Sequence, residues 1–386
     1  MTDVHPADRF ALTEEQKAIH DLAISFGDEK IAPHAIEWDQ THHFPVDVFK
    51  AAAPLGMGGI CVADDLGGSH LSRLDAVLIY EGLARACPCI SGYFSVHNMV
   101  ALIVDRFGNE AQRKKWLPAL CAFDLLGAYC LTEPGVGSDA SKLTTRAERV
   151  GDTYVLNGVK QFISGAGAAD IYIVMARTGG EGSKGISAFV VEKGTPGLSF
   201  GAPEKKMGWN AQPTRQVILE NVTIPAANLL SEEGVGLKIA LSGLDGGRLN
   251  IAACSLGGGR SALQKARSYM AERQAFGKRL DEFQALQFRL ADMETELEVA
   301  QTFLWRAASA LDAKAPNATM LCAMAKRFVT DAGFHVADQA LQMLGGYGYL
   351  TDYGIEKIVR DLRVHQILEG TNEIMRVVIA RATAGT

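Results

Sequence analysis

At 386 residues the chain exceeds what one hydrophobic core comfortably holds, so length alone predicts two or three domains. With 48% hydrophobic and 21% charged residues, it can fill such cores, which excludes a disordered or fibrous polymer. A formal charge of -6, with Lys and Arg scattered among acids, excludes a general surface for nucleic acid while leaving room for a local basic pocket for one phosphorylated ligand.

The opening segment, Met1 to Phe10, has neither a basic leader with an apolar run nor the Arg-rich, acid-poor texture of a transit peptide. Apolar stretches elsewhere break off well short of the ~20 residues needed to cross a bilayer, so a cytosolic protein with no membrane partner is expected. From Thr13 to Ile31, the residues Ile19, Leu22, Ala23, Phe26 and Ile31 recur at helical spacing. The same pattern returns at Val46 to Ala53, Arg73 to Ala86, His97 to Phe107 and Glu110 to Leu120, with a Gly-rich interruption from Pro54 to Gly68.

Near Leu126 the texture changes to short β-rich runs between polar turns. These are Tyr154 to Leu156 before Asn157-Gly158, Ile171 to Ala176 before Gly179-Gly180, Ile186 to Val191 before Gly194, and Arg215 to Leu219 before Glu220-Asn221. After Gly236 long helical patterns return at Leu237 to Arg273, Asp281 to Leu311, Ala318 to Leu344 and Asn372 to Ala382. The glycines at Gly243 to Gly247 and Gly257 to Gly259 are weak helix formers, best explained by close helix packing.

Helices on either side of a strand block differ from a Rossmann alternation, so Gly135 to Gly137 should not be read as a dinucleotide fingerprint. The cysteines (Cys61, Cys87, Cys89, Cys121, Cys130, Cys254, Cys322) are seven in number and widely spread, which suits buried free thiols in a reducing compartment. Cys87-Pro88-Cys89 lacks the spacing of a thioredoxin-like redox site. His42-His43, His335 and His365 show no metal-ligand spacing, and no metal is expected.

Four segments carry the chemistry: Tyr129-Cys130-Leu131-Thr132-Glu133-Pro134-Gly135-Val136-Gly137-Ser138-Asp139; Phe162-Ile163-Ser164; Arg273-Gln274-Ala275-Phe276-Gly277 with Phe283 and Gln284; and Gln339 to Tyr349 with Arg360 to Arg376, which includes HQILEGTNEIMR. Together they resemble the signatures and flavin contacts of the acyl-CoA dehydrogenase family, over essentially the whole chain. The resemblance implies an α+β multidomain fold with an N-terminal helical domain (1–125), a middle β-barrel-like domain (126–232) and a C-terminal four-helix bundle (233–386).

It further implies FAD as cofactor, an acyl-CoA substrate, electron-transferring flavoprotein as partner, and a homotetramer built as a dimer of dimers. Glu369 is then the catalytic base, taking the pro-R α-proton while hydride passes from the β-carbon to flavin N5. The thioester carbonyl would receive hydrogen bonds from the Glu369 backbone N–H and a ribityl hydroxyl. A carboxylate suits this role, because desolvation beside an acyl chain raises its basicity toward neutral pH. Next to it, Gly370 allows close backbone approach and Thr371 can cap the last helix.

By the same resemblance, Tyr129, Leu131, Thr132, Gly137 and Ser138 lie along the flavin, Phe162 stacks on its ring, and Ile163 and Ser164 stand near N5. The commonest family pattern has Trp and Thr where Phe162 and Ser164 stand; each substitute keeps an aromatic face or a hydroxyl. Arg273, Phe276, Phe283 and Gln284, with Gln342, Met343, Leu344, Gly345 and Gly346, would serve the diphosphate and adenosine end of a neighbouring subunit's FAD, and Thr371, Asn372 and Glu373 complete the cofactor set. Ser138, Asp245, Arg248, Gly370 and Arg381 are implied on the substrate side, where arginine suits a phosphorylated ligand. Arg360, Asp361 and Arg363 are candidates for structural ion pairs. Some subgroups carry their base immediately before the arginine matching Arg248; here that residue is Gly247. Leu368 stands where enzymes for straight chains commonly have Tyr, which favours a short branched acyl group.

Overall fold

The computed structural model describes residues 11–384, so the reading of Met1 to Phe10 lies outside the described residues. Helical spacing in the first third folds into α1 (Glu14–Lys30), α2 (Ala35–Thr41), α3 (Val46–Ala52), α4 (Arg73–Ala86), α5 (Pro88–Phe107) and α6 (Glu110–Cys121). Thr13, Ser72 and Asn109 start α1, α4 and α6 with reciprocal capping boxes to Gln16, Asp75 and Gln112. The fifth helix begins at Pro88 and not at His97, because it is buried on nearly every side and shows no polar stripe for periodicity to detect. The short α2 was not expected; it is too brief to display a period.

The middle of the chain forms β1 (Gly127–Cys130), β2 (Arg146–Val150), β3 (Thr153–Ser164), β4 (Ile171–Arg177), β5 (Ile186–Glu192), β6 (Leu198–Phe200), β7 (Thr214–Pro225) and β8 (Leu229–Leu230). They make one eight-stranded sheet in the order β6-β7-β3-β2-β4-β5-β8, with β1 parallel to β4. Asn157-Gly158 and Glu220-Asn221 do not end their strands. β3 and β7 pair antiparallel past both, the register shifts between Leu156 and Gly158, and Asn221 N–H donates to Asn157 Oδ1 at 2.8 Å. Two turn-like dipeptides on paired strands thus mark one bulge.

Beyond β8 come α7 (Gly236–Glu272), the hairpin β9 (Gln274–Ala275) and β10 (Lys278–Arg279), α8 (Gln284–Asp312), α9 (Ala318–Met343), α10 (Ile355–Arg363) and α11 (Asn372–Ala384). The α8 helix starts at Gln284 instead of Asp281, since Leu280–Glu282 forms a separate tight turn. The central helix is α7, which packs on α4, α5, α8 and α9, while α11 lies against α9. Gly257 to Gly259 are packing glycines, as expected: added Cβ atoms would meet Glu81 O, Leu362 Cδ2 at 2.9 Å and Leu297 Cδ2 at 3.1 Å. Trp209, between β6 and β7, locks the sheet to the helices, its backbone N–H donating to Asp361 Oδ1 at 2.6 Å on α10. No described helix is long and apolar enough to cross a membrane.

If α7 owes its position to this close approach, Gly257→Val should destabilise the fold by about 1–3 kcal/mol, read as a thermal midpoint lowered by several degrees. Gly180→Ala, where an added Cβ meets nothing within 4 Å, should leave the midpoint unchanged.

Candidate active site

After α10 the chain makes a tight turn at Val364–Gln366 and then reverses through two left-handed residues, Glu369 (φ 56°) and Gly370 (φ 87°), before entering α11. Glycine adopts this conformation freely, but a glutamate in it carries strain of roughly 1–2 kcal/mol. Thr371 Oγ1 accepts the Ile374 N–H at 3.3 Å, which is the cap expected of it. Behind the turn, His365 is fully buried and burial pushes its pKa down to about 3, with Lys326 adding to the effect. Trp209 Nε1–H donates to His365 Nε2 at 3.2 Å, so the ring proton sits on Nδ1, facing Ser255 Oγ at 2.7 Å.

The Glu369 side chain turns toward α7. Gly247 makes room for it: a Cβ there would stand 2.6 Å from Oε2 and 3.1 Å from Oε1. Although the residue as a whole is half-buried, Oε2 is shut from solvent and has no hydrogen-bond partner. Burial pushes the carboxyl up to about 7, against the opposing charges of Arg248 and Lys326. On α7, buried Arg248 pairs with Asp245 at 2.7 Å while its Nε is unpartnered, and Asp245 also accepts from Thr319 Oγ1 at 2.7 Å. From β1, Tyr129 brings a buried, unpartnered hydroxyl, held as a phenol by burial first and by the Glu369 charge second. Two enclosed polar atoms without protein partners, Tyr129 Oη and Arg248 Nε, therefore accompany a carboxyl that titrates near neutrality and whose own Oε2 is unpartnered, an arrangement compatible with proton transfer.

The neighbouring wall is built by the sheet. Lys160, fully buried on β3, pairs with Glu133 at 2.8 Å and donates to Leu131 O at 3.2 Å. Burial would raise the Glu133 carboxyl, but Lys160 and the Thr144 and Thr145 donors hold it down at about 2. This fixes the segment of Leu131 and Thr132, and Gln161 N–H adds a bond to Thr132 O at 2.8 Å. At the adjoining bulge Phe162 stands in a left-handed conformation (φ 59°) with 64% of its surface exposed. Ser164 Oγ accepts from Gln212 Nε2 at 3.3 Å, and Gly137 and Ser138 are exposed on the loop after β1. A strained, outward-facing aromatic beside a braced backbone edge fits a flat ring system such as a flavin.

A second group of expected residues gathers elsewhere. Arg273 lies over the Tyr347 ring at 5.6 Å, and both line a cleft of about 410 Å³ with Tyr269, Leu280, Leu344, Gly345 and Gly346. Phe276, 97% exposed, and Phe283 stand 6.4 Å apart between centroids in the segment after Arg273, with Gln284 exposed at the start of α8. Gln342, Glu373 and Arg381 are exposed.

At three expected contacts the side chain is engaged within the protein. The Asn372 side chain is buried and spent within the protein, its amide on Asp331 Oδ1 at 2.8 Å and Thr330 Oγ1 at 3.0 Å and its carbonyl on Lys326 at 2.9 Å. Ile163 and Met343 point into the core. All three could meet a cofactor through backbone only. Sequence reasoning missed Lys326, although a lone lysine among Leu321, Cys322, Ala325 and Val329 on a helix was a visible signal. It also missed Trp209 and the role of His365. All seven cysteines are free, and Cys87 accepts a hydrogen bond from Lys357, which pairs with Asp361 at 2.6 Å. Arg360 pairs with Asp39 at 2.6 Å and with Glu356, as structural ion pairs do.

The fold and site together define a three-domain enzyme with an enclosed carboxyl between a β sheet and a helical bundle. The chain belongs to the acyl-CoA dehydrogenase family: its N-terminal domain matches residues 13–124, its middle domain 128–222 and its C-terminal domain 234–384. It is similar to the isobutyryl-CoA dehydrogenases, mitochondrial, of Bos taurus (53% identity, 96% of this chain, 89% of that one) and Dictyostelium discoideum (51%, 98% and 91%). Among solved structures, butyryl-CoA dehydrogenase from Megasphaera elsdenii superposes with a TM-score of 0.93 at 39% identity, covering 97% of this chain and 99% of that one. The protein is thus an FAD-dependent acyl-CoA dehydrogenase.

Two outcomes follow from the buried carboxyl. Gly247→Ala, by displacing Glu369, should slow turnover on the order of a hundredfold in a steady-state assay. Because the folded pKa of Glu369 lies at about 7, above its ordinary 4.5, stability is lost as pH rises through that window, on the order of 3 kcal/mol in all. Glu369→Gln should therefore raise the thermal midpoint clearly at pH 8 and little at pH 5.

Proposed function

We propose that this enzyme converts isobutyryl-CoA to methacrylyl-CoA, with Glu369 as base, and that electron-transferring flavoprotein takes up the electrons. The observation that carries the mechanism is Glu369 Oε2, enclosed without a partner against Gly247. Similarity to two isobutyryl-CoA dehydrogenases supports the substrate, as does Leu368, an aliphatic side chain packed on the core beside the base.

Glu369 accepts the α-proton of the thioester; its burial tunes it for this at neutral pH. Its backbone N–H has no acceptor among the described residues and is free for the thioester oxygen, where a hydrogen bond acidifies the α-carbon. FAD, when bound, receives the hydride lost from the β-carbon. Phe162, Leu131, Thr132 and Ser164 would hold its ring. Arg273, Phe276, Gln284, Gly345 and Gly346 would hold the distal end of a second copy's FAD. A nearly fully exposed Phe276 in a left-handed conformation supports such a partner and, with it, the homotetramer. Ser138, Asp245, Arg248 and Arg381 are proposed along the CoA path.

The two isobutyryl-CoA dehydrogenases are named as mitochondrial, whereas the sequence expectation for this chain is cytosolic; immunoblots of cell fractions decide between the compartments.

Anaerobic mixing of purified holoenzyme with isobutyryl-, 2-methylbutanoyl-, isovaleryl- and butanoyl-CoA tests the proposal. The flavin absorbance should bleach fastest with isobutyryl-CoA, and Glu369→Gln should abolish bleaching. One methylene shifts discrimination by only ~1–3 kcal/mol, so slower bleaching by 2-methylbutanoyl-CoA and butanoyl-CoA is expected. A clear preference for another thioester would overturn the substrate, and absence of bleaching by all of them would leave a silent acyl-CoA-binding scaffold.

A further inference from the structure

Lys326 has no part in the reaction as described, yet it occupies the most expensive position a charge can have. It is fully buried on α9, and its ammonium donates to two neutral oxygens, Gly370 O at 2.8 Å and Asn372 Oδ1 at 2.9 Å. A buried cation with no carboxylate in its hydrogen-bond shell is retained against a large desolvation penalty, which calls for a compensating charge nearby. Both acceptors flank the base: Gly370 follows Glu369, and Asn372 opens α11. The left-handed Glu369–Gly370 turn has its carbonyl tied by this ammonium.

We propose that Lys326 is the positioning residue of the catalytic base, holding the Glu369–Gly370 turn by its hydrogen bonds and supplying positive charge that keeps the carboxylate ionised. This rests on the reading of Glu369 as base. The charges around the carboxylate agree with it. From α7, Arg248 also favours the ionised form, but its guanidinium is tied to Asp245. From β1 comes the neutral Tyr129 hydroxyl, and behind the turn the neutral His365. On α9 itself, Asp331 is engaged by the Asn372 amide and by Gln366, and on α11 Glu373 is exposed and faces Arg376. Burial lowers Lys326 to about 8, with Glu369 foremost among the charges that oppose the fall. Glu369 titrates at about 7 and Lys326 at about 8, so near neutral pH the carboxyl is partly ionised while most of the ammonium keeps its proton.

The test is rapid anaerobic flavin reduction by isobutyryl-CoA over a range of pH, with holoenzyme carrying Lys326→Met, Lys326→Arg, Lys326→Gln or Glu369→Gln. Loss of the charge in Lys326→Met should raise the midpoint of the acid limb by about one pH unit. It should also lower kcat about tenfold or more with KM little changed, because the defect is in the base and not in CoA binding. Lys326→Arg, which keeps the charge, should keep the wild-type midpoint. Lys326→Gln retains an N–H donor for Gly370 O and should still show the raised midpoint, which serves if the Met variant fails to fold. A wild-type midpoint in the Met or Gln variant, or a change confined to KM, would overturn the inference. Normal reduction by Glu369→Gln would instead overturn the assignment of the base, whatever Lys326 does.

Discussion

Removing the Glu369 carboxylate from water governs the organisation around it. An ionised carboxylate surrounded by protein is costly, and the packing of α7 against the turn before α11 enforces that desolvation. The Lys326 and Arg248 charges offset part of the penalty, leaving the group poised near neutrality instead of permanently protonated or permanently ionised. A stronger ion pair would be more stable and a poorer base, since a carboxylate fully satisfied by hydrogen bonds loses its affinity for a substrate proton. The unpartnered Oε2 is therefore what distinguishes this group from the Glu133–Lys160 pair, where an ion pair and two threonine donors yield a carboxyl held far down and a braced loop.

Much of the fold was legible because its long elements carry a clear period. The amphipathic α1 and α4 and the long C-terminal helices were read within a few residues, whereas α5 was read short because a helix buried all around lacks contrast between faces. Strands β2 and β6 left no clear trace. The sequence Arg146-Ala147-Glu148-Arg149-Val150 is charged and exposed apart from Ala147, and its strand conformation comes from pairing with β3, a non-local cause. The turn signals at Asn157-Gly158 and Glu220-Asn221 were real local preferences, but a bulge between partner strands satisfies them as well as a hairpin does.

The site divides along the same line. Glu369, Thr371, Phe162 and Arg273 were legible through the family motifs that hold them, and the structure gives those motifs physical content in left-handed backbone, caps and exposed aromatic faces. Lys326, Trp209 and His365 were hidden because each acts through partners distant in the chain: Gly370 and Asn372 for the lysine, His365 for the tryptophan, Ser255 for the histidine. Asn372 shows what a motif leaves unsaid: every polar atom of its side chain is committed to holding the loop, which leaves its backbone for any contact with a ligand.

Gly247 leaves the space on α7 that the Glu369 carboxyl fills from the turn. With a carboxylate already 2.6 Å from where its Cβ would stand, a second acidic side chain at position 247 would have to displace the Glu369 carboxyl. Were room made, the two carboxylates would share one enclosed site and could not both ionise at neutral pH; one would be held protonated by the other. Carboxylates on α7 and on the turn would therefore compete for one space and oppose each other's charge. A glycine on the helix leaves that space to Glu369 alone. It also places a helix-weakening residue in the middle of α7, which is tolerated because packing against α4, α5, α8 and α9 supports that segment from several sides.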